Sequence, residues 1–445
     1  MQKFTLKRVA ALLLALVTTA SITGCASGNA VSSSVAPSDT QASSAAASSA
    51  AAPAERTKVN FWYLWGGDEA KIIEEIIAAY NKSQDKYEAV GLSTPDQQKI
   101  ITAISGGQGP DVTDDFGGNI PKYALQSIAL PMDDFIKAEN FDTSVYVDSA
   151  MQMMKFQDKV YGLPLSVNVF ALYYNKDLLD KAGIKELPKT LEDLMKMGED
   201  TTKVEGGVVT QLGMPFVTDS YWNYCFTYAN GGLFADKDAK LTPDNAGFKT
   251  TLDYLAKEVK KFGSDPLNNY ITSGVSKQYT AEDPFCKGTQ VFRIDGPWFY
   301  NMAKTAGINF DLMPLPGAAS VGGTGYSMMD TSIMYIPSTA KNKDGAWDFV
   351  KYITSGEGSK LFVTKKGDLP PTKALAKDES IINMTPASKV YIDILNQNHC
   401  YALPQMEAGI EYDKAIKMAT ESVRLGGSVD EALTKIKKDT AALVK

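Results

Sequence analysis

The chain has 445 residues, of which 44% are hydrophobic and 22% charged, and these values are typical of soluble globular proteins. Its formal net charge of −7 disfavours nucleic acid as a partner, because phosphate binding requires clustered lysine and arginine. Residues 1–24 carry three positive and no negative charges, so their removal changes the charge from −7 to −10. Beyond them, no apolar run reaches the roughly 20 residues of a membrane-spanning helix.

The N-terminus has the pattern of a secretory signal. Lys3, Lys7 and Arg8 precede an apolar run at residues 9–17, which is too short to span a bilayer. Residues 22–25 (ITGC) then resemble the lipobox of bacterial lipoproteins. The resemblance implies a signal peptide of residues 1–24, a lipid on Cys25 and an extracytoplasmic protein anchored to the cell membrane. The alternative is a plain secretory signal with a chance cysteine.

A low-complexity segment follows the cysteine. Eleven alanines and nine serines occupy residues 26–54, which contain no aromatic residue. Such a composition cannot bury enough apolar surface to offset the entropy of ordering. We therefore predict a disordered tether over residues 25–57.

The remaining chain offers few groups for catalysis or metal binding. Cys225, Cys286 and Cys400 allow at most one disulfide, and their spacing fits no metal motif. His399 is the only histidine, and no nucleophile signature accompanies it. There is also no phosphate-binding loop or dinucleotide fingerprint. We expect no catalytic site, no metal and no cofactor.

The body begins with a strand-then-helix unit. Residues 58–65 (KVNFWYLW) predict a strand, and Asp68 is predicted to cap a helix with apolar residues at 72, 73, 76, 77 and 80. Ligands bind beyond the carboxyl ends of strands in open α/β sheets, which makes Trp65, Asp68 and Glu69 candidate site residues. Alternatively, Trp65 packs in the core and Glu69 only complements the helix dipole.

Later helices are also predicted by their ends. Thr242 and Pro243 predict an N-cap and a first helical residue. Residues 346–353 predict a helix with Trp347 facing inward, and Ser428 predicts the N-cap of the last helix.

Short motifs occur in a defined order along the body. They are residues 107–112 (GQGPDV), 161–164 (YGLP), 172–178 (LYYNKDL), 188–194 (PKTLEDL), 292–298 (FRIDGPW), 315–317 (LPG), 346–350 (AWDFV) and 367–370 (GDLP). Together they resemble the extracellular solute-binding proteins of family 1, which include maltodextrin-binding proteins. The resemblance extends from about residue 58 to the C-terminus.

This resemblance implies a two-lobed α/β fold of the type II periplasmic-binding-protein class with a hinge between the lobes. The N-terminal lobe would comprise residues 58–166 and 314–368, and the C-terminal lobe residues 167–313 and 369–445. A solute would bind between the lobes, and the closed protein would deliver it to the membrane permease subunits of an ABC importer. The resemblance implies a monomer that is not an enzyme.

The resemblance also implies the ligand-binding residues. Sugars need aromatic plates and planar polar groups, and Trp298, Tyr221 and Trp222 match aromatic positions of the family. The last two belong to an aromatic stretch, residues 221–228, of which about two of five members are expected to face the cleft. For the polar groups, the resemblance implies Asp115, Asn168 and Glu407. Asp68 and Glu69 are added from their place at the first helix N-terminus, and Gly323 because a glycine lets the backbone approach a ligand closely.

Two positions depart from the maltodextrin binders. Ile410 lies nearest to a tryptophan of that group, and Asp115 replaces an aromatic residue. A long maltodextrin is therefore disfavoured, and a smaller or differently decorated sugar is the principal expectation. The alternatives are a polyamine or a glycerol-phosphate-type solute in the same fold, and a surface glycosidase.

Overall fold

This computed structural model describes residues 55–214, 221–236 and 240–443, apart from the side chains of Asp68 and Tyr221. The predicted signal peptide, the predicted lipid attachment at Cys25 and tether residues 25–54 lie outside the described residues. Thr57, which the sequence places in the tether, already belongs to the first strand.

The described residues form thirteen strands and seventeen α-helices. The strands are β1 (Thr57–Tyr63), β2 (Tyr87–Ser93), β3 (Val112–Phe116), β4 (Lys155–Phe156), β5 (Lys159–Val160), β6 (Leu163–Val169), β7 (Ala171–Asn175), β8 (Lys203–Glu205), β9 (Val208–Gln211), β10 (Phe292–Asp295), β11 (Phe310–Met313), β12 (Ser327–Tyr335) and β13 (Cys400–Tyr401). The helices are α1 (Gly67–Ser83), α2 (Gln97–Ser105), α3 (Ile120–Leu125), α4 (Asp133–Ala138), α5 (Asp148–Met153), α6 (Lys176–Lys181), α7 (Leu191–Thr201), α8 (Tyr221–Ala229), α9 (Ala246–Phe262), α10 (Ser264–Val275), α11 (Phe299–Thr305), α12 (Lys343–Ser355), α13 (Glu357–Lys366), α14 (Glu379–Ile382), α15 (Pro386–Asn396), α16 (Gly409–Arg424) and α17 (Val429–Thr440). None of the described helices has the length and apolarity needed to cross a membrane.

The larger sheet has six strands in the order β13-β12-β3-β1-β2, with β6 also paired to β12. Strand β1 runs parallel to β2 and β3, whereas β12 runs antiparallel to β3 and β6. The carboxyl ends of β1 and β3 therefore meet at one edge, where α/β proteins bind ligands.

The smaller sheet has three antiparallel strands in the order β10-β7-β11. The chain passes from the larger to the smaller sheet between Val169 and Ala171, and returns between Met313 and Ser327. A third passage runs beside the first, because the Val167 N–H donates a hydrogen bond to the Leu369 carbonyl. Two sheets joined at neighbouring passages make a two-lobed molecule with a hinge. The exact lobe boundaries stay a prediction.

The described residues form two large hydrophobic cores, and the smaller sheet contributes to both. The first core packs Phe61, Tyr80 and Phe349 against one another. The second packs Phe234 against Phe248. Trp298 touches both cores, so it lies where the two lobes meet.

Two predicted helix starts are wrong by a few residues. Helix α1 is capped by Gly66 and not by Asp68, with no side-chain hydrogen bond at the cap. Helix α9 begins at Ala246, because the Asn245 side chain accepts a hydrogen bond from the Phe248 N–H and so satisfies a free helix donor. Ser428 caps α17 as predicted, accepting from the Glu431 N–H.

Glu258 on α9 is a buried carboxyl whose Oε2 has no hydrogen-bond partner among the described residues. Burial raises its pKa to about 7. Between about pH 4.5 and 7 the folded protein holds a proton that the unfolded chain releases, so stability should fall as pH rises through that window. We predict that Glu258→Gln raises the free energy of unfolding at pH 8 by about 1–3 kcal/mol, with little difference at pH 4, as measured by urea denaturation.

Glu199→Gln is the matched control for that experiment. Glu199 forms ion pairs with Lys257 and Lys261, which lower its pKa to about 2. This variant should gain no stability at pH 8. Equal gains in both variants would contradict the assignment of the effect to the burial of Glu258.

Candidate functional site

Two adjoining cavities open where β1 and β3 end. The central cavity, of about 320 Å³, is lined by Phe116, Gly118, Asn119, Met153, Tyr224, Met328, Met329, Asp330, Leu403, Pro404, Gln405, Gly409, Ile410, Asp413 and Lys417. The inner cavity, of about 510 Å³, is lined by Leu64, Trp65, Glu69, Pro95, Gln97, Asp114, Asp115, Phe116, Asn119 and Ser332. Phe116 and Asn119 line both, so the two form one cleft. Its walls come from the larger sheet on one side and from α8 and α16 on the other.

Phe116 is the exposed aromatic plate of this cleft. It ends β3 and leaves 48% of its surface exposed, although most large apolar side chains of the described residues are buried. Gly117 follows it, and a Cβ there would lie 2.3 Å from Thr331 Oγ1, so the chain turns tightly behind the ring. An accessible ring at the junction of two cavities can stack on the apolar face of a sugar.

Asp115 is the centre of a hydrogen-bond network. It accepts from Gln97 Nε2 at 2.7 Å, from Asn119 Nδ2 at 2.8 Å and from the hydroxyl of Tyr123. Burial nevertheless raises its pKa, against the effect of these donors. The network holds Asn119 and Gln97 in fixed positions on the cleft wall.

Glu69 is tied to the hinge through a buried lysine. Lys366 Nζ lies 2.9 Å from Glu69 Oε1 and 3.4 Å from Asp368 Oδ1. Ser166, in the first passage between the sheets, donates to Asp368 Oδ2 at 3.4 Å. Burial opposes the charge of Lys366, but Asp368 and Glu69 raise its pKa above the ordinary value. A ligand that contacts Glu69 would thus act on a network that reaches the hinge.

The opposite wall carries its own polar network. The Tyr224 hydroxyl donates to Asp413 Oδ1, and Lys417 Nζ lies 2.8 Å from Asp413 Oδ2. On the floor between the walls, Asp330 accepts a hydrogen bond from the Thr331 N–H at 2.7 Å. Burial raises the pKa of Asp330 to about 7.

Several predicted residues come together here. Trp65, Glu69 and Asp115 line the inner cavity. Asn168 lies directly opposite Asp330 across the β6–β12 pair and is buried. The side chain of Asp68 lies outside the described residues.

Trp298 is positioned by a chain of hydrogen bonds that leads through the exposed Tyr279 to the buried Asp295 and Arg293. Its Nε1 donates to the Tyr279 hydroxyl at 3.2 Å, which donates to Asp295 Oδ1 at 3.1 Å. Asp295 in turn accepts from Arg293 Nε at 2.7 Å. The Trp298 ring packs edge-on against Phe170, the residue between β6 and β7. Trp298 does not line any of the cavities described here. It supports the hinge from the second lobe.

The other predicted residues lie apart from the two cavities. Trp222 is buried and packs edge-on against Phe226 in the second core. Gly323, at a φ of 73°, packs beside His399. Glu407 lines an outer cavity of about 460 Å³ together with Lys122, and this cavity shares Ile410 with the central one.

The expectation that about two aromatic residues of residues 221–228 face the cleft stays a prediction. Trp222, Tyr224, Phe226 and Tyr228 are all buried, and only Tyr224 lines the central cavity. These four rings pack in the second core. The Tyr221 side chain lies outside the described residues.

The sequence interpretation missed Phe116, Asn119, Asp330, Gln405 and Asp413 as cleft residues. One signal was available for Phe116, since an aromatic residue directly before two glycines at a strand end is placed where ligands bind. The others come from three distant segments, which only the fold brings together. The described residues contain no group of three or more side chains arranged to hold a metal ion.

Comparisons with known proteins agree with this architecture. A family model described as bacterial extracellular solute-binding protein matches residues 75–389. The chain is 27% identical over 331 residues to the galactooligosaccharide-binding protein of Bacillus subtilis, covering 72% of this chain and 74% of that protein. It is 25% identical over 312 residues to a maltooligosaccharide ABC transporter solute-binding lipoprotein of Streptococcus pneumoniae, covering 67% and 69%.

A solved structure shows the same fold. The structure of CpMnBP1 with mannotriose bound matches with a TM-score of 0.77 at 25% identity, covering 86% of this chain and all of the other. The predicted two-lobed α/β fold is confirmed.

Proposed function

Because the chain belongs to the bacterial extracellular solute-binding proteins, we propose that it is the carbohydrate-capturing subunit of an ABC importer. It binds a mono- or oligosaccharide between its lobes and delivers it to the permease subunits in the membrane. A binding protein releases its ligand unchanged, so no catalytic residue is required, in keeping with a family that is not enzymatic.

The exposed Phe116 ring inside a polar cleft carries this proposal. Sugars combine apolar C–H faces with a rim of hydroxyls, and they bind where an aromatic plate is flanked by carboxylates and amides. Phe116 stands between Asn119 and Asp115 on one wall and faces Tyr224 and Asp413 across the central cavity. The names of the relatives, which refer to galacto- and maltooligosaccharides and to mannotriose, support a carbohydrate ligand.

The proposed ligand contacts follow from these positions. Phe116 and Trp65 supply aromatic surface, and Asp330, Glu69 and Asn119 supply polar groups. The other predicted ligand-binding residues, Asp68, Asp115, Asn168, Tyr221, Trp222, Trp298, Gly323 and Glu407, stay predictions. Of these, Asp115 acts indirectly, because it holds the side-chain amides of Gln97 and Asn119 in place. Trp298 acts by supporting the hinge.

The protein is proposed to act outside the cytoplasm as a monomer, lipid-anchored through Cys25. The ITGC sequence at residues 22–25 and the lipoprotein relative support the anchor. We predict that Cys25→Ser releases the protein from the membrane fraction into the medium and abolishes incorporation of labelled palmitate. Cys286→Ser, which alters a buried thiol, is the control and should leave both unchanged. A Cys25→Ser protein that stays labelled and membrane-bound would overturn the anchor.

Ligand-dependent thermal unfolding tests the function. The purified protein is screened against mannotriose, galactotriose, maltotriose, spermidine and glycerol 3-phosphate. A sugar at one hundred times its Kd should stabilise the protein by about 2.7 kcal/mol. A saturable rise with a sugar would support the proposal, whereas a rise with spermidine or glycerol 3-phosphate alone would keep the fold and overturn the carbohydrate. Release of monosaccharide from a bound sugar would overturn the binding-protein function.

A further inference from the structure

Three carboxylates of the cleft have no cationic partner. Asp114, Asp115 and Asp330 form no ion pair with any lysine or arginine of the residues described, whereas Lys366 pairs with Glu69 and Lys417 with Asp413. Burying a carboxylate is costly unless it is paired, and stable folds rarely keep several unpaired in one place. The described side chains thus give this cluster no ion pair, although Lys366 acts electrostatically on Asp114 and lowers its pKa against the larger effect of burial.

Several hydrogen-bond donors that line the cleft already donate to carboxylates of the protein. Gln97 and Asn119 donate to Asp115, and Tyr224 donates to Asp413. Asp114 accepts from the Leu64 N–H at 2.9 Å, and burial holds its pKa well above the ordinary range. The side-chain amides nearest to Asp115 and the hydroxyl nearest to Asp413 thus already donate within the protein.

A buried amide beside Asp330 adds an acceptor without a donor. Asn168 is 7% exposed; its Nδ2 reaches Ser332 Oγ at 3.5 Å, and its Oδ1 has no partner among the described residues. The β6–β12 register places Asn168 directly opposite Asp330, with Cβ atoms about 5 Å apart on one face of the sheet. Gln405, which lines the central cavity, also has an unpartnered buried Oε1.

The charged groups around Asp330 also indicate a site that favours a cation. Asp115 on β3 and Asp413 on α16 both raise its pKa electrostatically, after the larger effect of burial. Lys417 lines the same cavity but is bound to Asp413. The floor of the cleft therefore has a negative potential that favours a cation.

We propose that the ligand is an amino sugar, an oligosaccharide with at least one protonated amine, and that the amine binds beside Asp330 and Asn168. This inference rests on the proposed carbohydrate function and narrows it. An ammonium group has three donors and no acceptor, so it matches an acceptor-rich site and supplies the missing charge. The face of Phe116 gives the sugar ring a stacking surface and attracts the cation.

Isothermal titration calorimetry of the purified protein tests the proposal with three trisaccharides that differ only in the group at C2 of each ring. Chitotriose carries free amines, cellotriose carries hydroxyls, and triacetylchitotriose carries acetylated amines. Chitotriose should bind at least tenfold more tightly than the other two. Asp330→Asn should lower the affinity for chitotriose at least tenfold and the affinity for cellotriose by a smaller factor, so that the preference for chitotriose is largely lost. Asp253→Asn, on the exposed face of α9, should change neither affinity.

The outcomes separate the two proposals. Binding of cellotriose, or of any neutral sugar in the panel, at least as tightly as chitotriose overturns the amino sugar and leaves the carbohydrate function intact. Binding of spermidine alone, or of no sugar at all, overturns both.

A measurement without sugar gives a second criterion. If Asp330 is kept for an amine and not for the fold, Asp330→Asn should raise the midpoint of thermal unfolding at pH 8, because it removes a partly buried carboxylate that forms no ion pair with the described lysines and arginines. A lower midpoint would give Asp330 a structural role and overturn the proposal.

Discussion

Replacing Arg293 with methionine is expected to lower the free energy of unfolding by about 3–5 kcal/mol, the usual cost of removing one partner from a buried ion pair. Arg293 is fully buried on β10, and its Nη1 donates to both Asp283 oxygens at 3.0 and 3.1 Å. Its Nε donates to Asp295 Oδ2 at 2.7 Å. Methionine fits the space but leaves two buried carboxylates without a cation.

Chemical denaturation at pH 7 measures this loss of unfolding free energy. Two further variants show whether the loss comes from the buried ion pairs. Arg293→Lys keeps the charge but cannot bind two carboxylates at once, so its loss should be intermediate. Arg424→Met removes a partly exposed arginine that contacts Glu421 and Asn268, and it should cost less than about 1 kcal/mol. Similar losses in Arg293→Met and Arg424→Met would contradict the assignment of the effect to the buried triad.

Phe116→Ala is expected to weaken binding of the best sugar of the panel by about 30-fold, or about 2 kcal/mol, the range of an aromatic hot spot. The ring is exposed in the cleft and shared by both cavities, so its loss removes stacking surface without opening a core cavity. Titration calorimetry measures the affinity, and the unfolding midpoint without sugar should change little.

Leu92→Ala is the matched control for Phe116→Ala. Leu92 is 49% exposed on the edge strand β2, away from the residues that line the two cavities. Its loss removes a comparable exposed apolar side chain and should leave affinity unchanged. If both variants bind the sugar like the unaltered protein, Phe116 does not stack on the ligand.

The fold was predicted through a resemblance and not from local patterns alone. Short motifs such as GDLP at residues 367–370 resemble, in their order, those of the solute-binding family, and that resemblance implies two joined lobes. The lobe boundary predicted at residues 166 and 167 stays a prediction, and the chain leaves the larger sheet after Val169. Helix starts were predicted less well, because the choice between Thr242 and Asn245 depends on which side chain reaches the first free N–H groups.

The cleft was harder to predict because its polar groups have competing partners. The sequence shows the carboxylate of Asp115 but not the donors that already surround it, and it shows Glu69 but not Lys366. The partners of Trp222 are likewise not visible in the sequence. A helix that is packed on all sides buries aromatic residues that would otherwise be available for binding. Asp330 carries no local motif, and its position on the cleft floor depends on pairing with β6, more than 150 residues earlier.

The order of the strands in the larger sheet also constrains how the protein is exported. Strand β12 pairs with both β3 and β6, yet it lies more than 150 residues after the end of β6 in the chain. A chain that crosses the membrane from its N-terminus exposes β3 and β6 first, with unpaired backbone groups along their edges. These edges stay open to aggregation until residues 327–335 have also crossed. The first lobe therefore completes its folding late in secretion. Until then, the first half of the chain has to be kept apart from other copies of the same chain.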